Sequence, residues 1–238
     1  MSVTKEMPVS TYWLGALAPA YDAMIVAGGA PVRRSLLNQC ARRARVIVAL
    51  DGGADLLHRA RLVPRHVVGD LDSISDSALT WAKRRGASVH RRTSQDEPDF
   101  AKGLAFCRHL GCRRVLVLGF SGQRTDHVLA ALHHSLRRRA MRLVLLTDQV
   151  AIIPLRGRAN VQMEIPARHT ISWIGFPRAG SCTLTGVRWP FRGRTLKTDG
   201  FHSLSNQPAA NKVTLSQKSG ASLVVMSLRP EVVRRVGI

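Results

Sequence analysis

The sequence predicts an α/β protein in which a parallel-sheet α/β domain is followed by a smaller all-β domain. Up to about residue 150, short β-branched runs alternate with longer segments of helical periodicity. Beyond that point, short and partly alternating segments are separated by Gly, Pro and Asn clusters. A chain of 238 residues is long enough for two modest domains.

The first part of the chain reads as repeated strand–helix units. Apolar runs predict parallel strands at 24–26, 46–48, 66–68, 115–118 and 143–146. The segments between them predict helices at 35–45, 54–61, 77–86, 100–110 and 127–139. Ser75 and Asp76 can cap the third helix, and Gly86 and Gly111 can end the third and fourth.

The second part of the chain has antiparallel β character. Strands are predicted at 161–165, 170–176, 182–189, 212–216 and 222–228. Residues 218–221 suit a hairpin turn between the last two. A boundary therefore falls near residues 152–160, and the predicted domains are 1–155 and 156–238.

The composition is strongly basic. Lys and Arg total 36 against 15 acidic residues, a net charge of +21, and 30 of the 36 are Arg. Such a balance suggests an anionic partner, which could be a polynucleotide or a small molecule carrying phosphates. The Arg runs are interpreted as solvated helix faces and ends, because few aromatic residues stand among them for base stacking. The 45% apolar content argues against a disordered chain.

Cysteine usage and hydropathy bear on the compartment. The four cysteines have no CxxC spacing, so neither a zinc site nor a disulfide scaffold is predicted. A reducing, cytoplasmic location fits best. No apolar run reaches the roughly 18 residues of a membrane span, so no membrane association is expected.

The acidic residues are rare and unevenly placed. Nine of the 15 lie between residues 51 and 126, and three groups of them follow predicted strands: Asp51, then Asp70 with Asp72, then Asp126. Ligands of an open parallel sheet bind beyond the carboxyl ends of the strands. The sequence therefore predicts a carboxylate-lined site at that edge.

Crowded carboxylates raise one another's pKa and call for a cation. Mg²⁺ prefers oxygen ligands and often binds together with phosphates. In an extended backbone, Asp70 and Asp72 would share one side while Leu71 points into the core. The alternative is that Asp72 and Asp76 only cap the next helix. The other acidic groups, Asp51 included, favour the metal site.

Two glycine pairs follow predicted strands. Gly52-Gly53 and Gly28-Gly29 permit a close approach of the backbone to a ligand, or positive φ angles. Neither a GxxxxGK[ST] phosphate loop nor a complete GxGxxG occurs, which disfavours P-loop and dinucleotide-binding proteins.

Together these residues resemble the thiamine pyrophosphokinase family. Four segments carry the likeness in family order, at 51–54, 69–74, 95–100 and 122–127, and weaker matches follow at 186–189 and 203–206. The likeness spans roughly residues 24–228. It implies an α/β catalytic domain that binds ATP and Mg²⁺, a thiamine-binding β-sandwich, and a homodimer. The implied reaction transfers a pyrophosphoryl group from ATP to the hydroxyl of thiamine, giving thiamine diphosphate and AMP.

The resemblance also implies roles for individual residues. Asp70, Asp72 and Asp99 would be the catalytic and Mg²⁺-binding residues. From the chemistry of the transfer, Asp99 is the candidate to accept the thiamine hydroxyl proton, directly or through metal-bound water. The implied substrate-binding residues are Asp51, Gly52, Gln95, Asp96, Arg124, Asp126, Trp189, Ser205 and Asn206. Of these, Arg124 would contact the ATP phosphates, and Trp189 would face the thiazolium cation.

Two positions depart from the family pattern. Leu71 replaces a usual aromatic residue, and Pro98 replaces a usual Thr, which removes a backbone N–H beside Asp99. Trp189 could instead be an ordinary core residue of the β domain.

Two alternative functions remain open at this stage. One is a basic nucleic-acid-binding protein, or a degenerate family member. The other is a related diphosphotransferase that acts on another alcohol. Nucleic acid is the less expected partner, because carboxylates around a strand-end crevice would repel a polynucleotide.

Overall fold

The structure is a computed structural model that describes residues 10–13, 21–92, 97–122, 124–137 and 141–228. The chain divides into two compact units. One comprises Pro19–Asp148, and the other comprises Met1–Ala18 together with Gln149–Ile238. We call them the α/β unit and the β unit.

The described elements alternate strand and helix and then continue as strands alone. In chain order they are β1 (Ser10–Trp13), β2 (Tyr21–Val26), α1 (Arg34–Ala41), β3 (Ala44–Leu50), α2 (Gly53–Ala60), β4 (His66–Gly69), α3 (Asp76–Arg84), β5 (Ser88–Arg91), α4 (Asp99–His109), β6 (Arg114–Leu118), α5 (Thr125–Arg137), β7 (Arg142–Leu146), β8 (Val150–Arg156), β9 (Ala159–Glu164), β10 (Ile171–Thr185), β11 (Phe191–Lys197), β12 (Ser203–Asn206), β13 (Lys212–Gln217) and β14 (Ser219–Ser227). The mixed α/β class is confirmed.

The α/β unit contains a parallel sheet in the order β7-β6-β2-β3-β4-β5. Its central strands are apolar on both faces, and Met24, Ile25, Val48 and Leu116 are completely buried. The chain returns to the other side of β2 when it forms β6, so the strand order reverses there. Because every pair is parallel, all six strands end at the same edge, which we call the carboxyl edge.

The predicted helices of this unit are present, with ends shifted by up to four residues. Ser75 is the N-cap of α3 and accepts a hydrogen bond from the Ala78 N–H at 3.2 Å, as predicted. Gly86 and Gly111 follow α3 and α4 with positive φ, also as predicted. Strand β5 was not predicted, because its Ser-Val-His-Arg sequence lacks an apolar run.

The β unit is organised around the 15-residue strand β10. Residues 171–175 of β10 pair with β14, and residues 183–185 pair with β13. The predicted separate strand at 182–189 is therefore wrong, because residues 182–185 are the end of β10 and residues 186–189 lie beyond it. The hairpin predicted at 218–221 is also wrong: β13 and β14 lie on either side of β10, and the Lys218 N–H donates to the Gly180 carbonyl at 3.0 Å.

Four further strands of the β unit escaped prediction. They are β1, which pairs in parallel with β9, together with β8, β11 and β12. The core of this unit includes Trp173, Met163, Leu184 and Val224, all completely buried. No helix among the described residues has the length and apolarity needed to cross a bilayer.

Candidate active site

Three carboxylates meet at the carboxyl edge of the parallel sheet. Asp51 directly follows β3, Asp70 directly follows β4, and Asp99 is the first residue of α4. One oxygen of each lies within 4.8 Å of the others. We call this group the carboxylate cluster. Sequence reasoning assigned all three residues to one site, and the fold brings them together.

Asp51 is the most enclosed member of the carboxylate cluster. It is 3% exposed, has a φ of 45°, and donates its N–H to the Val68 carbonyl at 3.2 Å. One carboxylate oxygen, Oδ2, accepts a long bond of 3.5 Å from the Ser73 N–H. The other, Oδ1, is buried and has no hydrogen-bond partner. An ionised oxygen in that position lacks the compensation that a buried charge requires.

The surroundings shift the two strand-end carboxyls in opposite directions. The pKa of Asp51 is raised to about 6, mainly by burial; the Asp72 and Asp99 side chains also raise it, and the hydrogen bonds of Ser73 oppose the shift. Burial also raises the pKa of Asp70, but the Asp72 N–H bond, the Asp51 and Asp72 side chains and the Lys102 charge outweigh it. The net pKa of Asp70 is below its usual value.

Asp72 lies beside the carboxylate cluster and outside its tightest group. Its N–H donates to Asp70 Oδ1 at 3.3 Å, and its own side chain is exposed. The expectation of an extended Asp70–Asp72 segment with Leu71 in the core is wrong. Leu71 has a φ of 71° and is only half-buried, because the chain turns sharply here toward α3.

Lys102 was missed by sequence reasoning. It lies one helical turn after Asp99, its side chain is only 8% exposed, and its Nζ is 3.0 Å from Asp99 Oδ1. A buried lysine needs a paired charge, and Asp99 provides one. The signal in the sequence is the Asp-x-x-Lys spacing at the start of a predicted helix.

The glycine pairs bring two loops together. A Cβ on Gly53 would lie 2.0 Å from the Val26 carbonyl oxygen, so only glycine fits where the loops after β2 and β3 meet. The Gly52 N–H donates to the Ser73 Oγ at 3.2 Å. The predicted close approach is therefore to neighbouring backbone, and Gly52 ties the loop that carries Asp51 to the loop after Asp70.

Arg124 and Asp126 form a bidentate pair at the start of α5. Arg124 Nε donates to Oδ1 at 3.0 Å and Nη2 donates to Oδ2 at 2.6 Å. These bonds lower the pKa of Asp126 to about 2. Both side chains are more than 60% exposed, and exposed ion pairs contribute little to stability. A phosphate group can therefore replace Asp126 on the guanidinium at small cost.

The third predicted motif is described only from Glu97 onward, and Gln95 and Asp96 lie outside the described residues. Pro98 occupies the N-cap of α4 with a φ of −65°, which is the angle that proline prefers. Its carbonyl accepts the N–H groups of Ala101 and Lys102. The substitution by proline is thus compatible with the helix start that positions Asp99.

A second concave surface lies within the β unit. It has a volume of about 260 Å³ and is lined by residues of 189–194 and 201–206. Trp189 is 53% exposed here, whereas Trp173 fills the core, so Trp189 is not an ordinary core tryptophan. Gly186 shapes the preceding turn with a φ of 78°, and a Cβ there would lie 2.0 Å from the Lys212 carbonyl oxygen.

Asn206 holds Trp189 in this surface. Its Oδ1 accepts the Trp189 N–H at 3.1 Å, and its Nδ2 donates to the Trp189 carbonyl at 2.7 Å and to Ser203 Oγ at 3.3 Å. Asn206 is 2% exposed. Its amide is thus used to position Trp189, whereas Ser205 is exposed and donates its own N–H to Ser172 Oγ at 2.9 Å.

Two guanidinium groups already lie on aromatic rings of this surface. The Arg188 guanidinium carbon is 4.8 Å from the centre of the Trp189 ring, and that of Arg194 is 3.7 Å from the centre of the Phe201 ring. These contacts indicate that the rings can hold a flat cation against their faces.

The carboxylate cluster fits a hard divalent cation. Its donors are all oxygens, and one oxygen of each residue lies close enough to the others to share an ion. Asp51 also carries a buried oxygen without a hydrogen-bond partner. Asp51, Asp70 and Asp99 would be the residues that hold it, and Asp72 adjoins them.

Comparison with known proteins agrees with this geometry. Residues 37–145 match the family model for the thiamin pyrophosphokinase catalytic domain. The matched segment contains the whole carboxylate cluster. The carboxylate cluster therefore lies in the part of the chain that is similar to the thiamin pyrophosphokinase catalytic domain.

Curated relatives of the family extend the match beyond the catalytic domain. Thiamine pyrophosphokinase 1 of Oryza sativa subsp. japonica is 28% identical over 204 residues, which cover 74% of this chain and 77% of that protein. Thiamine pyrophosphokinase of Bacillus subtilis is 22% identical over 186 residues, which cover 76% of this chain and 86% of that protein.

Solved structures of the thiamin pyrophosphokinase family share the fold. The yeast enzyme gives a TM-score of 0.79 at 14% identity and covers 97% of this chain and 95% of its own. The enzyme of Candida albicans gives 0.78 at 16% identity, with 96% of each chain covered.

Proposed function

We propose that this protein is a thiamine pyrophosphokinase, which transfers the pyrophosphoryl group of ATP to the hydroxyl of thiamine and releases AMP. The single observation that carries the proposal is the carboxylate cluster at the carboxyl edge, inside the segment that matches the family's catalytic domain. The match to the family's catalytic domain and the similarity to curated thiamine pyrophosphokinases support the same activity.

In this proposal the α/β unit is the catalytic unit that binds ATP and Mg²⁺. Asp70 and Asp99 hold the metal together with Asp51, whose buried Oδ1 otherwise lacks a partner, and Asp72 lies beside them. When bound, Mg²⁺ neutralises and orients the polyphosphate of ATP. The Arg124 guanidinium donates to phosphate oxygens of ATP in place of the Asp126 carboxylate, to which it is bonded in the structure. Asp126 then stabilises the loop before α5.

The transfer needs in-line attack on the β-phosphorus. The thiamine oxygen forms the new bond to Pβ, the bond between Pβ and the α,β-bridging oxygen breaks, and AMP leaves with that oxygen. Asp99 takes the hydroxyl proton in this proposal. Lys102, whose Nζ is 3.0 Å from Asp99 Oδ1, positions this carboxylate.

The β unit provides the thiamine-binding surface in this proposal. Thiazolium is a permanent cation, and a half-exposed indole ring is a suitable partner, with an attraction of about 0.5–2 kcal/mol. Asn206 acts by fixing the Trp189 backbone, and Ser205 lies beside it with an exposed side chain. Exposed Trp189 and Leu204 also suit a surface that a second copy of the chain completes, so we include a homodimer in the proposal.

The test is product analysis with purified protein, thiamine, ATP and Mg²⁺. We expect thiamine diphosphate and AMP in equal amounts, and loss of both products with Asp99→Asn. Absence of AMP would contradict the proposal. Competition by other primary alcohols, such as a hydroxymethyl pterin, would instead reveal a diphosphotransferase with a different substrate.

A further inference from the structure

In the α/β unit, many exposed basic side chains lie at the edge of the parallel sheet opposite the carboxyl edge, where the carboxylate cluster lies. The five helices end, and the strands that follow them begin, at the edge opposite the carboxylate cluster. At that edge, exposed Lys and Arg side chains lie in the last helical turns, in the connections and in the first two residues of the strands. Twelve are described: Arg42, Arg45, Arg59, Arg61, Arg65, Lys83, Arg84, Arg85, Arg108, Arg113, Arg137 and Arg142. We call these twelve side chains the basic edge.

The acidic residues of the unit have the opposite distribution. Ten are described, and nine of them lie at helix starts or in loops of the carboxyl edge. Asp22 is the exception, and its carboxylate accepts hydrogen bonds from the backbone N–H groups of Arg113 and Arg114, both at 2.8 Å. Among the described residues, the basic edge therefore presents almost unopposed positive charge.

Compensation of helix dipoles accounts for only part of this charge. Each helix C-terminus is equivalent to about −0.5 charge, so five helices supply about −2.5. Twelve cationic side chains exceed that by more than fourfold. The positive charge that the helix dipoles do not compensate is available to an external anion.

The dimensions and composition of the basic edge favour an extended polyanion. Six strands about 4.8 Å apart give an edge about 24 Å long, and five of the six begin beside a basic connection. At about 3.4 Å per phosphate along one strand, this length matches about seven nucleotides. Eleven of the twelve side chains are Arg, whose planar fork matches phosphate oxygens.

A membrane surface fits less well. Anchoring to a bilayer needs buried apolar area in addition to positive charge. At the described part of the basic edge, the exposed large apolar side chains are Val63 and Leu110, at 37% and 38%. That area is small, and neither side chain is aromatic.

The carboxylate cluster is too far from the basic edge to repel an anion that binds there. The six residues of β2 span about 20 Å at about 3.3 Å per residue. This separation exceeds the screening length of about 8 Å at physiological salt. The sequence predicted that carboxylates around a strand-end crevice would repel a polynucleotide, but the carboxylates lie at the edge opposite these basic side chains.

We propose that the basic edge binds the phosphate backbone of a polynucleotide without reading its sequence. Each guanidinium releases condensed counterions when it contacts a phosphate, so the affinity must fall steeply as salt rises. This binding is independent of the proposed enzymatic activity, because the two surfaces lie at opposite edges of the sheet.

Fluorescence anisotropy with a labelled 20-nucleotide single-stranded RNA, between 50 and 200 mM KCl, tests the proposal. The test variant combines Arg59→Gln, Arg84→Gln and Arg108→Gln, which lie in the last turns of α2, α3 and α4 and preserve helix propensity. The control variant removes the same charge from exposed positions of the β unit, with Arg158→Gln, Lys212→Gln and Lys218→Gln.

We expect the test variant to reduce the slope of log K against log salt by about 2, since each single-strand phosphate contact contributes about 0.7. Its affinity at 100 mM KCl should fall about tenfold or more, and the control should change less than twofold. Unchanged thermal unfolding and unchanged AMP formation in both variants exclude a folding defect. Equal losses in the two variants, no binding at 50 mM, or binding to phosphatidylserine vesicles but not to RNA would each overturn the proposal.

Discussion

Replacement of Asp51 by Asn tests whether the carboxylate cluster is built for a cation. Without metal, Asp51 is a buried acid whose pKa is raised from 3.8 to about 6, first by burial and then by its acidic neighbours. Asn has nearly the same shape and carries no charge. The variant should therefore be more stable than the wild type when metal is absent.

The sign of the pH effect follows from proton linkage. Between pH 4 and pH 6 the folded protein keeps the Asp51 proton while the unfolded chain has lost it, so the stability of the metal-free protein falls as pH rises through this range. A shift of about two pKa units corresponds to at most about 3 kcal/mol above pH 6. Asp51→Asn removes this cost at pH 8 and should be nearly neutral at pH 4.

Thermal unfolding in EDTA measures the difference. At about 2–4 °C per kcal/mol, the variant should unfold up to about 12 °C above the wild type at pH 8, with little difference at pH 4. Saturating Mg²⁺ with ATP should stabilise the wild type more than the variant. A variant less stable than the wild type in EDTA at pH 8 would show that the buried Asp51 carboxylate does not destabilise the metal-free protein.

Four other substitutions test the remaining parts of the site. Asp72→Asn should abolish product formation and leave the unfolding temperature unchanged, since Asp72 is exposed; an active variant would remove Asp72 from the site. Arg124→Lys should raise the KM for ATP tenfold or more, because Lys lacks the bidentate fork, and an unchanged KM would exclude a phosphate contact. Trp189→Ala should raise the KM for thiamine about 2- to 30-fold, as expected from the loss of about 0.5–2 kcal/mol of cation–π attraction, while the KM for ATP stays constant. Asn206→Ala should cost about 1–3 kcal/mol of stability and raise the KM for thiamine; a stability loss with unchanged KM would show that Asn206 has no positioning role.

The parallel sheet was predictable because its strands are buried on both faces and therefore appear as continuous apolar runs. The same reason explains why β5 was missed, since it lies at the end of the sheet and has a polar sequence. In the β unit, local patterns gave the strand character of β9, β10, β13 and β14. They could not give their pairing, because a 15-residue strand that serves two neighbours depends on contacts distant in sequence.

The acidic residues of the site were predictable because loops after parallel strands converge at one edge. Two details of the site could not be predicted without the three-dimensional fold. Asp51, rather than Asp72, is the buried member beside Asp70 and Asp99, since the chain turns at Leu71. Lys102 enters the site because the first turn of α4 places it beside Asp99.

The separation of charge was also invisible in the sequence. The Arg runs looked like scattered surface residues. Their common edge follows from the parallel topology, which places every helix end and the strand start that follows it together.

³¹P NMR of the reaction of thiamine with MgATP directly tests the transfer of the pyrophosphoryl group. We expect the ATP signals to decay into AMP and thiamine diphosphate in a one-to-one ratio, and Asp99→Asn to abolish the decay. Formation of ADP and thiamine monophosphate, or no thiamine-dependent consumption of ATP, would contradict this transfer.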